Sequence, residues 1–309
     1  MTEPAAPTRE LDQSGPNVVA LGGGHGLATA LRAIRQYAGS ITAVVSVADD
    51  GGSSGRLRRD LGVVAPGDLR RCLVALATDG GVWSDAFEHR FSAGELEGHS
   101  LGNLVLVGLA ETLGGFDAAL TEAGRMLGTV GRVLPACVEP VELKAEVEGR
   151  DAEVAGQVAV ANSRNILRVE LVPADAAAPA EAVAAIAAAD QVVLAPGSLY
   201  TSIVAVVCVQ ALREALASTP GRVVQVANIR SQVPETAGLD ATDHLAAVLD
   251  HGARVDTFLY EGAGELAADE TQIRAWGVEP VAGAMAATNG HSHDPARLAG
   301  MLRSLLERS

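Results

Sequence analysis

The residues that decide the fold are 17–27, which read NVVALGGGHGL. An apolar run, Asn17–Leu21, ends in the glycine-rich segment Gly22–Gly26, and apolar residues then recur at helical spacing. This order predicts a strand, a glycine turn and a helix. The next apolar run, Ile41–Ala48, is rich in β-branched residues, which is typical of a strand buried on both faces of a parallel sheet.

Strand and helix patterns alternate along most of the chain. Further apolar runs at Gln191–Ala195 and Arg222–Ala227 are each followed by a helical pattern. We therefore expect an α/β fold with a Rossmann-like, doubly wound and mainly parallel sheet. Residues 141–148 alternate between apolar and polar, which predicts a small antiparallel β insertion, a peripheral lobe at about 132–165.

Composition limits the function. The 309 residues are 48% hydrophobic, and 23 Lys and Arg against 38 Asp and Glu give a net charge of −15. Such an acidic chain is not expected to bind nucleic acid, and its apolar runs are too short for membrane insertion. Three widely spaced cysteines indicate a reducing compartment, so we expect a cytoplasmic protein. Residues 1–16 are expected to be a flexible N-terminal tail, and residues 17–309 a single domain.

The glycine-rich segment Gly22–Gly26 is the first candidate ligand site. Ligands of such sheets bind beyond the carboxyl ends of the strands, and glycines before a helix expose backbone N–H groups to an anion. Neither the GxGxxG fingerprint nor a P-loop is present, which argues against a nicotinamide oxidoreductase and indicates only a phosphate or another anion. A turn required for packing alone is the competing interpretation. His25 is either a ligand donor or a packed turn residue.

The segment Asp49–Arg56, DDGGSSGR, is the second candidate site, and we interpret it as a charged, flexible loop. An acid after the second strand can hold a ribose hydroxyl. The pair Asp49 and Asp50 can instead hold Mg²⁺ beside a phosphate. Because successive strand residues point to opposite faces, at most one of the two faces the site unless the backbone has already left the strand.

Other polar residues stand at the ends of predicted elements. Asp68 is expected to cap a helix, in whose first turn Arg70 opposes the helix dipole and is a candidate partner for Asp68 or a ligand phosphate. The segment Pro196–Ser202 repeats the glycine and helix pattern and predicts a second anion site. Asn228 follows a later strand and is a candidate for the same composite site.

The segment GHSLGN, residues 98–103, precedes another predicted helix. Ser100 is expected to cap that helix, and His99 and Asn103 are candidate ligand contacts. No GxSxG elbow surrounds Ser100, so a hydrolase triad built on this serine has no support.

Together these motifs resemble the YvcK/CofD-like family, specifically its YvcK branch of gluconeogenesis factors. The resemblance covers about residues 18–244, and DDGGSSGR and PGSLYTSI are its most specific stretches. It implies a UDP-sugar-binding regulatory protein, with UDP-N-acetylglucosamine as the typical ligand and no required cofactor, that links carbon metabolism to cell-wall synthesis and cell shape. With Arg70 added for its position, the expected ligand-binding residues are Gly22, Gly23, Gly24, His25, Gly26, Asp49, Asp50, Gly67, Asp68, Arg70, His99, Asn103, Gly197, Ser198, Tyr200 and Asn228.

The sequence departs from the family pattern in three places. His25 stands where many relatives carry Thr, Arg71 stands where the family has Asn, and Gln232–Thr236 reads QVPET in place of QPGET. The alternative function is a CofD-type transferase that moves a phospholactyl-like group from a guanylyl donor, with Asp49 and Asp50 holding Mg²⁺. A homodimer and a protein partner in cell-wall regulation are further expectations.

Overall fold

The computed structural model describes Leu11 and residues 14–78 and 80–307. Most of the predicted flexible tail, residues 1–10 with 12 and 13, lies outside the described residues. Leu11 packs against the hydrophobic core, and the carbonyl of Pro16 accepts a 2.9 Å hydrogen bond from the amide of Gly39. The described end of that segment is therefore attached to the sheet.

The strands of the described residues form two sheets. Their bounds are Asn17–Gly22 (β1), Ser40–Val45 (β2), Arg132–Pro135 (β3), Glu142–Val147 (β4), Val154–Ala155 (β5), Ile166–Val172 (β6), Gln191–Leu194 (β7), Arg222–Val226 (β8), Thr257–Glu261 (β9) and Glu279–Gly283 (β10). The main sheet has the order β10-β9-β8-β7-β1-β2-β3, and its neighbouring strands are parallel. The second sheet, β5-β4-β6, is antiparallel. The predicted fold class is confirmed.

Helices connect and flank these strands. They are Gly24–Ile34 (α1), Gly52–Leu61 (α2), Pro66–Leu76 (α3), Val82–Glu88 (α4), Leu101–Leu113 (α5), Phe116–Leu127 (α6), Gln157–Ala161 (α7), Ala180–Ala187 (α8), Ala205–Val207 (α9), Gln210–Ser218 (α10), Ala241–Asp250 (α11), Glu270–Ala275 (α12) and Pro295–Leu306 (α13), with a π-helix at Leu199–Val204. No single helix in the described ranges is long and apolar enough to cross a membrane. Only Leu199–Val207 and Gln210–Ser218 together, bent by 74°, reach that length and composition.

Strand β1 is the point at which the order of the sheet reverses. It pairs with β2 on one side and with β7 on the other, and the chain continues outward from each neighbour. In an open parallel sheet, such a reversal opens a crevice beyond the carboxyl ends of the strands. The segments after β1, β2, β7 and β8 therefore meet at one edge, where the sequence places its candidate site.

Two turns of this edge pack backbone against backbone. A Cβ atom built on Gly26, in the first turn of α1, would lie 1.8 Å from the carbonyl oxygen of Pro196, which follows β7. A Cβ atom on Gly55 of α2 would lie 1.7 Å from the carbonyl oxygen of Asp50. Packing alone therefore requires glycine at these two positions. For Gly26, this agrees with the competing interpretation of the glycine-rich segment, a turn that is required for packing.

The prediction of a flexible loop at Asp49–Arg56 is wrong. Helix α2 begins within it, at Gly52, and Ser53 and Ser54 are buried. Gly51 takes the N-cap position, where glycine is tolerated, and Gly55 packs closely against the backbone of Asp50.

The antiparallel lobe also has other bounds than the expected 132–165. Arg132–Pro135 pairs with β2 in the main sheet, and the lobe runs from β4 through α7 to the end of β6 at Val172. Arg132–Pro135 and the strands of the lobe are all short strand patterns in the sequence. Only their pairing partners show which sheet each strand belongs to.

We predict that Gly26→Ala lowers the free energy of unfolding by about 3 kcal/mol or more, because the new methyl group overlaps the carbonyl of Pro196. The matched control is Gly108→Ala in α5, where a Cβ atom meets no atom within 4 Å. This control should stabilise the protein by about 0.5–1 kcal/mol. Urea unfolding followed by circular dichroism measures both; equal stability of Gly26→Ala and wild type would contradict the assigned contact.

Candidate functional site

A cavity of about 400 Å³ opens at the carboxyl ends of β1, β2 and β7. Several helices begin at its wall. Their first turns place there Gly24, His25 and Gly26 of α1, Gly52, Ser53 and Ser54 of α2, Gly67 and Asp68 of α3, Asn103 of α5, and Thr201 and Ser202 of the π-helix. First-turn N–H groups have no partner within their own helix, and the helix dipole adds positive partial charge there. The arrangement suits an anion.

Most of the predicted site residues lie on this wall, namely Gly23, Gly24, His25, Gly26, Asp49, Gly67, Asp68, Arg70, Asn103, Gly197 and Ser198. The structure places five others off it, namely Gly22, Asp50, His99, Tyr200 and Asn228. Asn228 lines an adjoining cavity of about 320 Å³, which shares His25, Gly26, Gly197 and Gln232 with the first. The side-chain amide of Asn228 holds the backbone of Gly197 through two hydrogen bonds, at 2.7 and 2.8 Å.

The carboxylate of Asp68 occupies the N-terminus of α1. Its Oδ2 accepts a 2.6 Å hydrogen bond from the amide of Gly24, and its Oδ1 pairs with the guanidinium of Arg71. Asp68 does not cap its own helix α3 as predicted, because α3 already begins at Pro66 and Asp68 lies in its first turn; it binds the start of α1 instead. The chain thus supplies a negative charge of its own where the sequence predicts a ligand phosphate.

His25 lies in the first turn of α1 and lines both cavities. Burial lowers the pKa of His25, and the nearby charge of Arg71 lowers it further. The ring is therefore neutral at pH 7 and can donate one hydrogen bond and accept another. The position suits a ligand contact without adding charge.

Asp49 is the acidic residue after β2 that reaches the cavity. Its Oδ1 accepts a 3.0 Å hydrogen bond from the amide of Gly51. Burial raises the pKa of Asp49, and the neighbouring carboxylate of Asp68 raises it further, whereas hydrogen bonds from Gly51 and Ser54 act in the opposite direction. A ligand hydroxyl or a cation at this carboxylate would stabilise its charged form in place of the water that burial excludes.

Asp50 faces the antiparallel lobe. Its Oδ1 accepts a 2.9 Å hydrogen bond from the amide of Val158 at the start of α7. Gly156 lies beside this carboxylate with φ +95°, a backbone conformation that favours glycine. The structure does not bring Asp49 and Asp50 together as a pair of metal ligands; the carboxylate that shares the cavity wall with Asp49 is that of Asp68.

Arginine side chains supply positive charge to the wall. Those that line it are Arg70, Arg71 and Arg90. Arg70 is 2% exposed, forms a 2.7 Å ion pair with Glu88, and donates to the carbonyl of Phe87 at 3.1 Å. The expected pairing of Arg70 with Asp68 is therefore not found. Its Nε has no hydrogen-bond partner among the described residues. Since a buried charged group needs such partners, a bound anion would improve its environment.

Glu235 occupies the helix end that follows Gly197. Its carboxylate accepts hydrogen bonds from the hydroxyl of Ser198 at 2.8 Å and from the amides of Tyr200 and Thr201 at 3.1 Å. Burial raises the pKa of Glu235, and these donors oppose the rise. A carboxylate of the chain therefore occupies the amides of Tyr200 and Thr201 at the start of the π-helix. For Gly197 and Ser198, which line the cavity, the second anion site stays a prediction.

Ser53 connects α2 with α5. Its hydroxyl oxygen accepts a 3.1 Å hydrogen bond from Nδ2 of Asn103 and lies 3.0 Å from Nδ1 of His99. Ser100 caps α5 as predicted and accepts from the amide of Asn103 at 3.4 Å. Burial lowers the pKa of His99, and the charge of Arg56 lowers it further. His99 thus reaches the cavity wall through Ser53.

Sequence reasoning missed several wall residues, namely Ser46, Gly51, Gly52, Ser53, Ser54, Arg71, Arg90, Gln157, Thr201, Ser202 and Gln232. The serines of DDGGSSGR stand inside a motif in which only the acids carry a recognisable signal. Arg90 and Gln157 have no local signal, because a distant segment and the lobe bring them to the cavity.

Comparisons with known proteins agree with this architecture. The sequence profile of the CofD family, described as 2-phospho-L-lactate transferase CofD, matches residues 18–286. The chain is 48% identical over 249 residues to the "Putative gluconeogenesis factor" of Mycobacterium leprae, covering 77% of this chain and 69% of the relative. It is 43% identical over 237 residues to the "Gluconeogenesis factor" of Halalkalibacterium halodurans, covering 76% and 73%. A crystal structure of a UPF0052-family protein from Bacillus halodurans has a TM-score of 0.89 at 36% identity, covering 94% of this chain and 99% of that one.

The raised pKa of Asp49 predicts a pH dependence of stability. As the pH rises above 3.8, the ordinary pKa of an aspartate, Asp49 keeps its proton in the native state to a higher pH than in the unfolded state. Relative to Asp49→Asn, the wild type should therefore lose stability as the pH rises from 3.8, and the difference should level off above the native pKa. Urea unfolding at a series of pH values measures it; a difference that grows in favour of the wild type would contradict the assigned burial.

Proposed function

This chain belongs to the CofD family, and we propose that it binds a nucleoside diphosphate sugar in the cavity at the carboxyl ends of β1, β2 and β7. UDP-N-acetylglucosamine is the first candidate ligand, because the motifs resemble the YvcK branch and the relatives carry the name gluconeogenesis factor. In this proposal the protein is a cytoplasmic regulator that links carbon metabolism to cell-wall synthesis and cell shape. A homodimer and a protein partner in that regulation remain part of the proposal.

One observation carries the binding proposal, namely the concentration of anion-binding groups on one wall. The first turns of four α-helices and a π-helix, together with three arginines, surround a single cavity. A diphosphate would gain hydrogen bonds from free first-turn amides and charge from the arginines. The adjoining cavity shares four lining residues with the first, so a longer ligand has room to extend beyond its diphosphate.

The acidic residues limit how a phosphate enters. Asp68 already accepts from Gly24, so a phosphate at α1 must use other amides or displace that carboxylate toward Arg71. Asp49 is suited to accept a hydrogen bond from a ribose or sugar hydroxyl. Burial deprives its carboxylate of water, and a ligand hydroxyl would supply a hydrogen-bond donor in place of that water. Selectivity would thus come from the hydroxyl pattern beside the diphosphate.

A CofD-type transferase is the second candidate, favoured by the family match over residues 18–286. Mg²⁺ commonly binds one or two carboxylates together with substrate phosphates and waters. Asp49 and Asp68 are carboxylates on the wall that fit this requirement, and would hold the ion in place of the expected pair Asp49 and Asp50. Mg²⁺ would there neutralise phosphate charge.

Calorimetric titration of the purified chain with UDP-N-acetylglucosamine, with and without Mg²⁺, tests the proposal. Saturable binding without Mg²⁺ is the expected result, and chromatography of the incubated nucleotide shows whether the bound ligand is also cleaved. Binding of a guanosine diphosphate compound alone, and only with Mg²⁺, would favour the transferase. No binding of either nucleotide at millimolar concentration would overturn the binding proposal.

Arg90→Ala should weaken UDP binding by about 10- to 100-fold, because this exposed arginine lines the cavity and can donate charge-assisted hydrogen bonds to a phosphate. The control is Arg59→Ala, an exposed arginine of α2 that pairs with Asp60 and does not line the cavity. Titration with UDP compares the two variants at equal salt. Equal affinities in both variants would remove Arg90 from the site.

A further inference from the structure

Ser53 is a hydroxyl group on the cavity wall with a histidine beside it. We propose that Ser53 and His99 form a nucleophile and base pair that attacks phosphorus, so that the cavity carries out phosphoryl transfer on phosphate esters or diphosphates. This activity goes beyond nucleotide binding. It depends on the geometry of the Ser53 hydroxyl and holds for any phosphoester that fits the cavity.

The hydrogen bonds of Ser53 place a donor and a histidine nitrogen beside its hydroxyl. Nδ2 of Asn103 donates to the serine oxygen at 3.1 Å and uses one of its lone pairs. Nδ1 of His99 lies 3.0 Å from the same oxygen. The proposal requires the tautomer that carries its proton on Nε2, in which Nδ1 accepts the hydroxyl proton and activates the serine.

The surroundings of Ser53 favour charge development at phosphorus. Ser53 is the second residue of α2, so the free first-turn amides and the positive end of the helix dipole lie beside its hydroxyl. Arg70, Arg71 and Arg90 line the same cavity and can stabilise phosphate oxygens. In phosphoryl transfer, such positioning and electrostatic stabilisation supply most of the catalysis.

The reaction balances with water as the second reactant. Oγ of Ser53 forms a bond to phosphorus, the bond from phosphorus to the leaving oxygen breaks, and the hydroxyl proton passes to Nδ1 of His99 and then to the leaving oxygen. Water next attacks the phosphoserine while His99 takes its proton. The bond between phosphorus and Oγ breaks, and His99 returns the proton to Ser53.

No sequence motif marks this pair. Ser53 and His99 are 46 residues apart, and the serine next to His99 in the sequence, Ser100, is a helix cap. Helix α2 and the segment before α5 bring the two side chains together. A purely structural role, joining α2 to α5, predicts no reactivity toward phosphorus and is the alternative that the experiment must separate.

The test treats the full chain with diisopropyl fluorophosphate and follows the adduct by intact mass and peptide mapping. We expect one diisopropylphosphoryl group on Ser53, none in Ser53→Ala, and labelling at least about 100-fold slower in His99→Ala. The controls are Ser163→Ala, a buried serine off the cavity, and His89→Ala, an exposed histidine; both should label like wild type. The wild-type rate should fall with acidification only below pH 6.5, where His99 takes up a proton.

Several outcomes would overturn the pair. These are no adduct on the wild type, an adduct that persists in Ser53→Ala, or an unchanged rate in His99→Ala. A structural role would instead shift the melting temperature of the two variants without any labelling of the wild type. Turnover of bis(p-nitrophenyl) phosphate, lost in Ser53→Ala, supports the full cycle. Because neither probe is a nucleotide sugar, failure here and failure of UDP-N-acetylglucosamine binding are distinguished.

Discussion

The pairing of β1 with both β2 and β7 is the constraint on which the rest of the structure depends. It sets the segments that follow these strands side by side, and the contact of Gly26 with the carbonyl of Pro196 fixes how closely they approach. Helix α1 then begins a few ångströms from the segment after β7. Every further wall element is placed relative to this contact, since α2 and α3 follow β2 directly along the chain.

Carboxylates of the chain itself satisfy several of the helix ends at this edge. Asp68 binds the start of α1, Asp50 the start of α7, and Glu235 the start of the π-helix. Each replaces water at unpaired amides and stabilises the turn without a ligand. Because these acids already bind several amides, an external anion would have to use the remaining amides of α1 and α2 and the nearby arginines. The cavity thus keeps backbone amides and guanidinium groups on its wall although the chain as a whole is acidic.

The fold and most of the site could be predicted from local sequence. The strand, glycine and helix order of residues 17–34, the apolar strand after it and the cap at Ser100 each depend on neighbours in sequence, and each was found. The details that local sequence did not show involve contacts between side chains and backbone of other segments. The segment after Asp49 is helical, with Gly55 packed against the backbone of Asp50, and Glu235 reaches the helix end after Gly197 from a later loop.

By itself, the sequence determined the parallel α/β architecture and the edge of the sheet at which the candidate site lies, because period, glycine placement and helix starts are local properties. The tertiary structure alone decided which carboxylate faces the cavity, which helix ends stay open and which histidine meets which serine. Those are questions of side-chain direction and of contacts between segments far apart in the chain. Asp49 and Asp50 are adjacent and chemically identical, yet one lines the cavity and the other caps the lobe, because only their surroundings differ.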